Sequence, residues 1–513
     1  MPTLDPTLSV LAILFVGWLG TLAAAATRLP RIVPVILLGV ALAPALHKSV
    51  LSACTDAGAA ATTGAGSGAV SAASELRTFA LLVALARGGL TMQLGNIARL
   101  RAPALLLCFV PYFAEVLVQV AVSRAALPDA SGLSAAAGSL PLSLLAASVW
   151  APLSPSIVIP NMLHFVETGL PRTAGLVMTG APIEVATALI TFSAVEGFVK
   201  SSVQGGDTGA GPIVGWVVVQ LFGSLAYGAL FAGLFWAFVA RVRPHPAVAR
   251  LLAGSTTTPA QETLLVFIAL FCLAYASCAD YLVPRLVGLL AALAMALGTQ
   301  LLLPALAAEL AAQLKFVWLY AEAFLFVLTG VVVRAAIDTG SPALGGGFLA
   351  VLVCGSLVRL LADLLVALAW QRATARAGRA AETPRESALA VLRRAAFLWS
   401  ATTPKATLQA SLGPRPAAEA AALGISALTG AFIAQSCAVA ILYMALLGSI
   451  LTYSVGRLAG AWLEAYDAGD DDEAAAAAAA AHGTELKAGL LNNEETAGVA
   501  VVSSAAPPPA PAL

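Results

Sequence analysis

Thirteen long apolar runs limit what this sequence can fold into. Each run is close to the length of about 20 residues that a helix needs to cross the hydrocarbon of a bilayer. Charged residues make up only 11% of the chain, against about 25% in soluble domains, so a water-soluble enzyme is excluded. The sequence therefore predicts an all-α polytopic membrane protein with about 13 transmembrane helices. The runs cover residues 7–26, 31–47, 76–95, 102–122, 140–164, 172–199, 213–240, 262–279, 283–303, 314–333, 344–370, 389–411 and 422–454.

The distribution of basic residues predicts the orientation of these runs. Fifteen Lys and Arg residues follow odd-numbered runs and seven follow even-numbered runs. Because cytoplasmic loops carry the excess of basic residues, we expect an extracytoplasmic N-terminus and a cytoplasmic C-terminus. No Lys or Arg precedes the first run, which favours a membrane span over a cleaved signal peptide. The plasma membrane and an acidic organelle remain open as locations.

Composition divides the chain into four segments. Residues 1–50 form the first two membrane helices, and residues 51–75, rich in Ala, Gly, Ser and Thr, form a flexible extracytoplasmic loop. Residues 76–455 form the main membrane domain, and residues 456–513 form a disordered cytoplasmic tail that is acidic and rich in Ala and Pro. The chain has no phosphate-binding glycine loop, no paired-cysteine motif and zero net charge. We therefore expect no cofactor, no resident metal and no nucleic-acid partner.

We single out eight charged residues within the apolar runs, since a charge near the bilayer centre costs about 2.5–3.5 kcal/mol on insertion scales. Such residues either pair or line a pathway, or they lie near a helix end and extend to the interface. We favour pairing or function for Glu115, Glu184, Arg359 and Lys405, and extension to the interface for Glu196. Both readings are open for Asp363. The full set is Arg87, Glu115, Glu184, Glu196, Glu322, Arg359, Asp363 and Lys405.

The fifth run predicts a broken helix beside an acidic residue. Three prolines fall within Pro152–Pro160, and each removes a backbone donor and clashes with the preceding turn. Irregular backbone at membrane depth is tolerated only where it is buried in protein or lines an aqueous cavity. The freed carbonyls and the hydroxyls of Ser154 and Ser156 are oxygen ligands for an alkali cation, and Glu184 follows in the sixth run. A discontinuous helix of this kind indicates the site of a secondary transporter; a simple proline kink is the alternative.

Several ordered segments then resemble the NHA-type sodium/proton exchangers of the cation/proton antiporter superfamily. Residues Leu76–Leu81 and Ala86–Leu90 are similar to the family's third-span motif, and Ser154–Leu163 is similar to its crossover motif "SPAVVVPSML". Residues Pro404–Pro414 resemble "PKATVQAAIGP" and are the most specific of the set. The likeness extends over residues 8–455.

The resemblance implies an inverted-repeat fold with two crossed broken helices, a homodimer and elevator-type exchange of Na⁺ or Li⁺ for protons. It places the first two helices on the dimerisation side. It assigns Glu184 as the alternating proton and cation site, with Ser154 and Ser156 completing the ligand shell. Glu115 and Arg359 would form an ion pair across the core, with Lys405 and Arg87 as accessory charges.

The chain departs from the family at its paired aspartates, "GSFDD", because Ile183 and Glu184 occupy those positions. One site carboxylate predicts electroneutral, one-for-one exchange. We place a second broken helix near Thr329 and Gly330, where Glu322 could restore part of the missing charge or simply extend to the interface. His164 is interpreted as an interface residue.

Two alternatives to sodium/proton exchange remain open. The first is a diverged transporter that leaks protons or moves another solute. The second is a membrane sensor or scaffold that keeps the fold without transport.

Overall fold

The computed structural model of the chain describes its membrane helices and their short connections. The described residues are 6–27, 31–45, 72–92, 101–134, 140–167, 170–203, 210–246, 259–278, 286–376, 388–418, 420–456 and 458, and they contain no β-strand. The helices are α1 (Pro6–Thr27), α2 (Ile32–Leu42), α3 (Ala72–Leu90), α4 (Arg101–Ala126), α5 (Leu140–Trp150), α6 (Pro155–Glu167), α7 (Pro171–Val203), α8 (Ala210–Ala237), α9 (Pro259–Ala276), α10 (Gly288–Leu302), α11 (Pro304–Asp338), α12 (Gly346–Arg376), α13 (Ala388–Thr402), α14 (Thr407–Leu412), α15 (Arg415–Ala418), α16 (Ala420–Leu423) and α17 (Ala427–Leu451).

Each of the thirteen apolar runs coincides with a helix or with a pair of half-helices. The fifth run is divided between α5 and α6, and the twelfth between α13 and α14. Eight helical segments of the described residues are long and apolar enough to cross a membrane. The prediction of an all-α polytopic membrane fold is confirmed.

Proline breaks both of the divided spans. Pro152 lies in the interruption between α5 and α6, Pro155 begins α6, and Pro404 lies in the interruption between α13 and α14. Proline removes a backbone donor and clashes with the turn before it, so the helix ends there. The two interruptions meet, since the Ser154 amide donates to the Pro404 carbonyl oxygen over 2.8 Å.

The prediction that the second break lies near Thr329 and Gly330 is wrong. Helix α11 runs through both residues without interruption, and the Thr329 hydroxyl donates to the Leu325 carbonyl oxygen over 2.7 Å. The glycine instead permits close packing, because a Cβ atom on Gly330 would lie 2.2 Å from the Ile36 carbonyl oxygen of α2. Gly39 on α2 makes the reciprocal approach, with its added Cβ 2.4 Å from the Val327 carbonyl oxygen.

The helices pack in two groups, and one of them contains both broken spans. In that group α12 packs along α4 and α13, while α7 packs along α6 and α4. In the other group α11 packs along α1, α2 and α3, and α10 packs along α3 and α8. Trp150 fixes the end of α5, because its indole nitrogen donates to the Ser436 hydroxyl over 3.0 Å and its ring lies 5.1 Å from that of Phe348.

Three predictions fall at or beyond the limits of the described residues. The predicted loop 51–75 lies outside them up to residue 71, and residues 72–75 belong to α3 rather than to the loop. The predicted tail, 456–513, lies outside them apart from residues 456 and 458, and so does the side chain of His164.

Candidate functional site

The two interrupted spans direct the C-terminal ends of α5 and α13 toward the same point. These ends leave carbonyl oxygens without a partner in the helix and carry partial negative charge. Arg359 donates to the Ala151 carbonyl over 3.0 Å and to the Thr402 carbonyl over 3.3 Å, and the Lys405 ammonium also donates to the Ala151 carbonyl. The Gln409 amide donates to the Pro152 carbonyl over 2.7 Å. Basic and amide side chains therefore satisfy the polar backbone of the crossing.

Arg359 on α12 connects two acidic residues from different helices. Its Nε lies 2.5 Å from Glu115 Oε2, and its Nη2 lies 2.7 Å from Glu184 Oε1. Its Nη1 reaches Glu184 Oε2 over 3.3 Å, so the contact with Glu184 has two points. Together with the two carbonyl contacts, every one of the five guanidinium N–H groups is used. Sequence reasoning proposed the pair with Glu115 but not the second pair with Glu184.

Glu115 on α4 has further partners. The Lys405 ammonium lies 2.8 Å from Glu115 Oε1, and the Gln119 amide donates to the same oxygen over 2.9 Å. All three side chains are buried. Removing one partner of a buried ion pair leaves an uncompensated charge, whereas an intact pair contributes little net stability. The arrangement is therefore one in which each charge depends on the others.

Asp363 lies one turn beyond Arg359 on α12 and is fully buried, with 0% of its surface exposed. It does not extend to the membrane interface, so that reading of this residue is wrong. The Thr402 hydroxyl donates to Oδ2 over 3.2 Å, while Oδ1 has no hydrogen-bond partner among the described residues. We call Glu115, Glu184, Arg359, Asp363 and Lys405 the crossover network.

Three hydroxyl groups form a triangle on the other side of the crossing. Ser154 Oγ lies 2.9 Å from Ser156 Oγ and 2.8 Å from Thr407 Oγ1, and the last two atoms lie 2.6 Å apart. Glu184 is adjacent, because its Oε1 accepts the Leu153 amide over 2.9 Å. The site thus contains one carboxylate and three hydroxyls, which are oxygen ligands that an alkali cation can use.

A narrow cleft leads to this triangle between the two groups of helices. Thr407, Pro155 and Pro182 line it on the side of the crossing. The opposite wall is formed by side chains of α3 and α10, namely Leu81, Ala84, Leu85, Gly88 and Leu293. Thr407 belongs to the triangle, so the cleft reaches one of its three residues.

Among the described residues, Glu322 and Arg87 make no ion pair with the crossover network. Glu322 on α11 pairs with Arg31, whose Nη1 lies 3.7 Å from its Oε2. Arg87 acts electrostatically on Glu322, and its guanidinium lies 6.0 Å from the centre of the Trp318 ring. We call Arg31, Arg87 and Glu322 the α11 cluster. Since the second break lies between α13 and α14, the reason for placing Glu322 beside the ion no longer applies.

Glu196 is buried and lies 3.5 Å from the guanidinium of Arg415, whose side chain is 43% exposed. Its expected place near a membrane interface stays a prediction. An ion pair is the other way in which a charge near a helix end can be accommodated.

Three residues of the site escaped sequence reasoning. Thr407 and Gln409 lie within the segment Pro404–Pro414 that carries the family resemblance, and that segment was the signal that could have identified them. Thr402 carried no signal, because its contacts with Arg359 and Asp363 depend on where α13 ends.

Comparison with known proteins bears on the fold. No protein-family model matches the chain, and no curated protein matches its sequence. Among solved structures, the chain is similar to that of the sodium proton antiporter MjNhaP1 from Methanocaldococcus jannaschii, with a TM-score of 0.60 at 15% sequence identity. The match covers 89% of this chain and 97% of the other. At this identity the likeness concerns the fold, and the chain described here has the fold of a sodium/proton antiporter.

Proposed function

We propose that the protein is a secondary active transporter that exchanges Na⁺ or Li⁺ for protons. The observation that carries the proposal is the position of Glu184. This buried carboxylate accepts from the guanidinium of Arg359 and from the backbone amide of Leu153, the residue that precedes Ser154 of the hydroxyl triangle, at the crossing of two broken helices. Discontinuous helices of this kind supply cation sites in secondary transporters, because unwound backbone and side-chain oxygens replace the water around the ion.

Cation binding at this site requires Glu184 to exchange partners. Ser154, Ser156 and Thr407 provide three hydroxyl oxygens, and Glu184 supplies the negative charge that balances the cation. The two-point contact between Arg359 and Glu184 competes with the cation for the same carboxylate oxygens. The replacement of Arg359 by the cation as the partner of Glu184 then couples cation binding to the release of a proton from the crossover network.

The finer features of the mechanism follow from the same arrangement. Two helix groups that pack mainly within themselves, with a cleft between them, suit an elevator motion of the group that carries the site. Among the described residues Glu184 is the single carboxylate adjoining the triangle, which supports electroneutral, one-for-one exchange. We retain the proposals of a homodimer formed through α1 and α2, an extracytoplasmic N-terminus, and residence in the plasma membrane or an acidic organelle.

Reconstitution of the full chain in proteoliposomes tests this function. Wild-type protein should take up Na⁺ in exchange for internal protons, followed with a pH-sensitive dye, and Glu184→Gln should abolish uptake because the neutral amide cannot balance the cation. Glu309→Gln is the matched control, since Glu309 is exposed on α11 and should leave exchange intact. The same variants should respectively fail and succeed in rescuing an exchanger-deficient yeast from sodium stress.

Two results would contradict the proposal. Exchange that persists in Glu184→Gln would separate transport from this carboxylate. Absence of cation-dependent proton movement in the wild-type protein would leave the sensor or scaffold alternative.

A further inference from the structure

Glu184 is already engaged as a carboxylate in this structure. Its two oxygens accept three N–H groups, two from Arg359 and one from the Leu153 backbone amide. A guanidinium stays protonated in proteins and cannot accept a hydrogen bond, so both oxygens of Glu184 act as acceptors. The exchanged proton therefore requires a different carrier in this state.

The charges of the crossover network identify that carrier. Arg359 and Lys405 supply two positive charges, and Glu115 and Glu184 supply two negative charges, in contacts of 2.5–2.8 Å. Asp363 is the fifth ionisable group and has no cation left to pair with. As an anion it would add one uncompensated negative charge to a buried site, which is strongly unfavourable.

The contacts of Asp363 agree with a neutral side chain. It is fully buried, it has one hydrogen bond of 3.2 Å with the Thr402 hydroxyl, and its Oδ1 has no partner among the described residues. The charged groups that act on it are Arg359 on its own helix, Glu115 on α4 and Glu184 on α7. On α13, which also packs against α12, the neutral Thr402 donates to Asp363, and the guanidinium of Arg394 lies over the Trp370 ring.

We propose that Asp363 is the proton carrier of the exchange cycle and that it replaces Glu184 as the partner of Arg359 when Glu184 binds a cation. This inference rests on the proposed function and adds the identity of the group that releases the proton. When the cation arrives, Glu184 turns from Arg359 to the ion and two guanidinium N–H groups lose their acceptors. The O–H bond of Asp363 then breaks, the proton passes to water on the side to which the site is open, and the carboxylate takes over Arg359.

The geometry of α12 permits this replacement. Residues four apart on a helix are neighbours on its surface, so Asp363 is adjacent to Arg359, and its unpartnered Oδ1 is available to accept an N–H group. The network gains one positive charge with the cation and loses one with the proton. Its net charge is unchanged through the cycle, as electroneutral exchange requires.

Asp363→Asn tests the proposal, because the amide keeps the size of the side chain but holds no exchangeable charge. Three quantities are measured in the full-length protein: protons released on Na⁺ addition in weak buffer, Na⁺/H⁺ exchange, and Na⁺/Na⁺ exchange with isotopic sodium. Wild-type protein should release about one proton per bound cation, and its apparent Na⁺ affinity should change about tenfold per pH unit over the competitive range. Asp363→Asn should release no proton and lose Na⁺/H⁺ exchange, while Na⁺/Na⁺ exchange should persist only at raised Na⁺ concentration and without pH dependence, because the amide oxygen can accept from Arg359 but cannot balance the charge of the cation.

Other outcomes overturn the proposal in distinguishable ways. Proton release and pH dependence that match the wild type would place the proton on Glu184 itself. Loss of Na⁺/Na⁺ exchange even at raised Na⁺ concentration, together with Na⁺/H⁺ exchange, in a variant that remains folded, would assign Asp363 a structural role. Failure of the proposed function is separate, because it would be visible in the wild-type protein.

Thr402→Val gives a second test if Asp363→Asn does not fold. The change removes the hydroxyl that donates to Asp363 without altering any charge. Because that hydrogen bond stabilises the ionised side chain, proton release on Na⁺ addition should move to higher pH. Release at the wild-type pH would overturn the proposal.

Discussion

Two groups of charges in this protein, one fully buried and one partly exposed, differ in how they are held. In the crossover network, side chains from α4, α7 and α12 meet the interrupted backbone of two spans, with ion pairs of 2.5–2.8 Å. In the α11 cluster, Arg31 and Glu322 are 3.7 Å apart, and 41% of the Arg31 side chain is exposed. Broken helices add carbonyl and amide groups that fix the first set, whereas the second set lies beside a continuous helix. Burial alone therefore does not indicate that a charged residue takes part in function. Contact with the interrupted backbone of a broken helix is the better indicator.

The largest effect should follow removal of Arg359. Arg359→Met leaves Glu115 with Lys405 as its remaining basic partner and leaves Glu184 without a basic partner, and breaking a buried pair in this way costs about 3–5 kcal/mol. The purified variant should unfold at a markedly lower temperature than the wild type and should not transport. Arg31→Met is the matched control, with an expected loss of about 1 kcal/mol or less because its pair is partly exposed. Equal losses in the two variants would remove the distinction between the two groups.

A smaller effect is expected from Thr407. Thr407→Val removes one hydroxyl of the triangle and one oxygen ligand, so the apparent affinity for Na⁺ should fall about tenfold, which corresponds to about 1.4 kcal/mol. Thr299→Val is the matched control, since Thr299 is equally buried but its hydroxyl donates only to the Met295 carbonyl of its own helix. Uptake measured over a range of Na⁺ concentrations checks both. An unchanged affinity in Thr407→Val would exclude the triangle from the cation site.

The smallest effect should come from Glu322. Glu322→Gln removes the charge that faces Arg31 and Arg87 but leaves the crossover network intact, so unfolding should change by about 1 kcal/mol or less. The ratio of Na⁺ to H⁺ exchanged by proteoliposomes, measured at two clamped membrane potentials, should equal that of the wild type, because we expect Glu322 to take no part in the charge balance at the ion. Exchange that becomes dependent on membrane potential in Glu322→Gln would show that the α11 cluster shares in coupling.

Apolar length and proline predict most of this fold. The thirteen runs coincide with the observed spans because hydrophobic length is a property of the sequence itself. The break at Pro152 follows from three prolines in nine residues, but the break at Pro404 was overlooked in favour of Gly330. Proline and glycine both weaken an isolated helix. Only packing shows that Gly330 brings two backbones together, whereas Pro404 removes a donor.

The candidate site was less predictable than the fold. Arg359 and Glu115 were expected to pair, yet the contact between Arg359 and Glu184 depends on how α7 approaches the crossing, and no sequence spacing records that approach. Asp363 illustrates the same limit. Its distance from Arg359 along the chain is that of helix neighbours, but the depth of this turn within the protein is set by the helices around it.

Arg359 and Lys405 also hold together two helix ends that carry the same partial charge. The C-terminal ends of α5 and α13 would repel each other if Arg359 and Lys405 did not lie against their carbonyl oxygens. These two bases are thus needed to build the fold, independently of the proposed transport. A descendant that had lost transport would still have to keep both bases, whereas nothing in the architecture would oblige it to keep the hydroxyl triangle. In this fold, the basic residues are needed for folding, whereas the hydroxyl ligands serve the proposed cation binding.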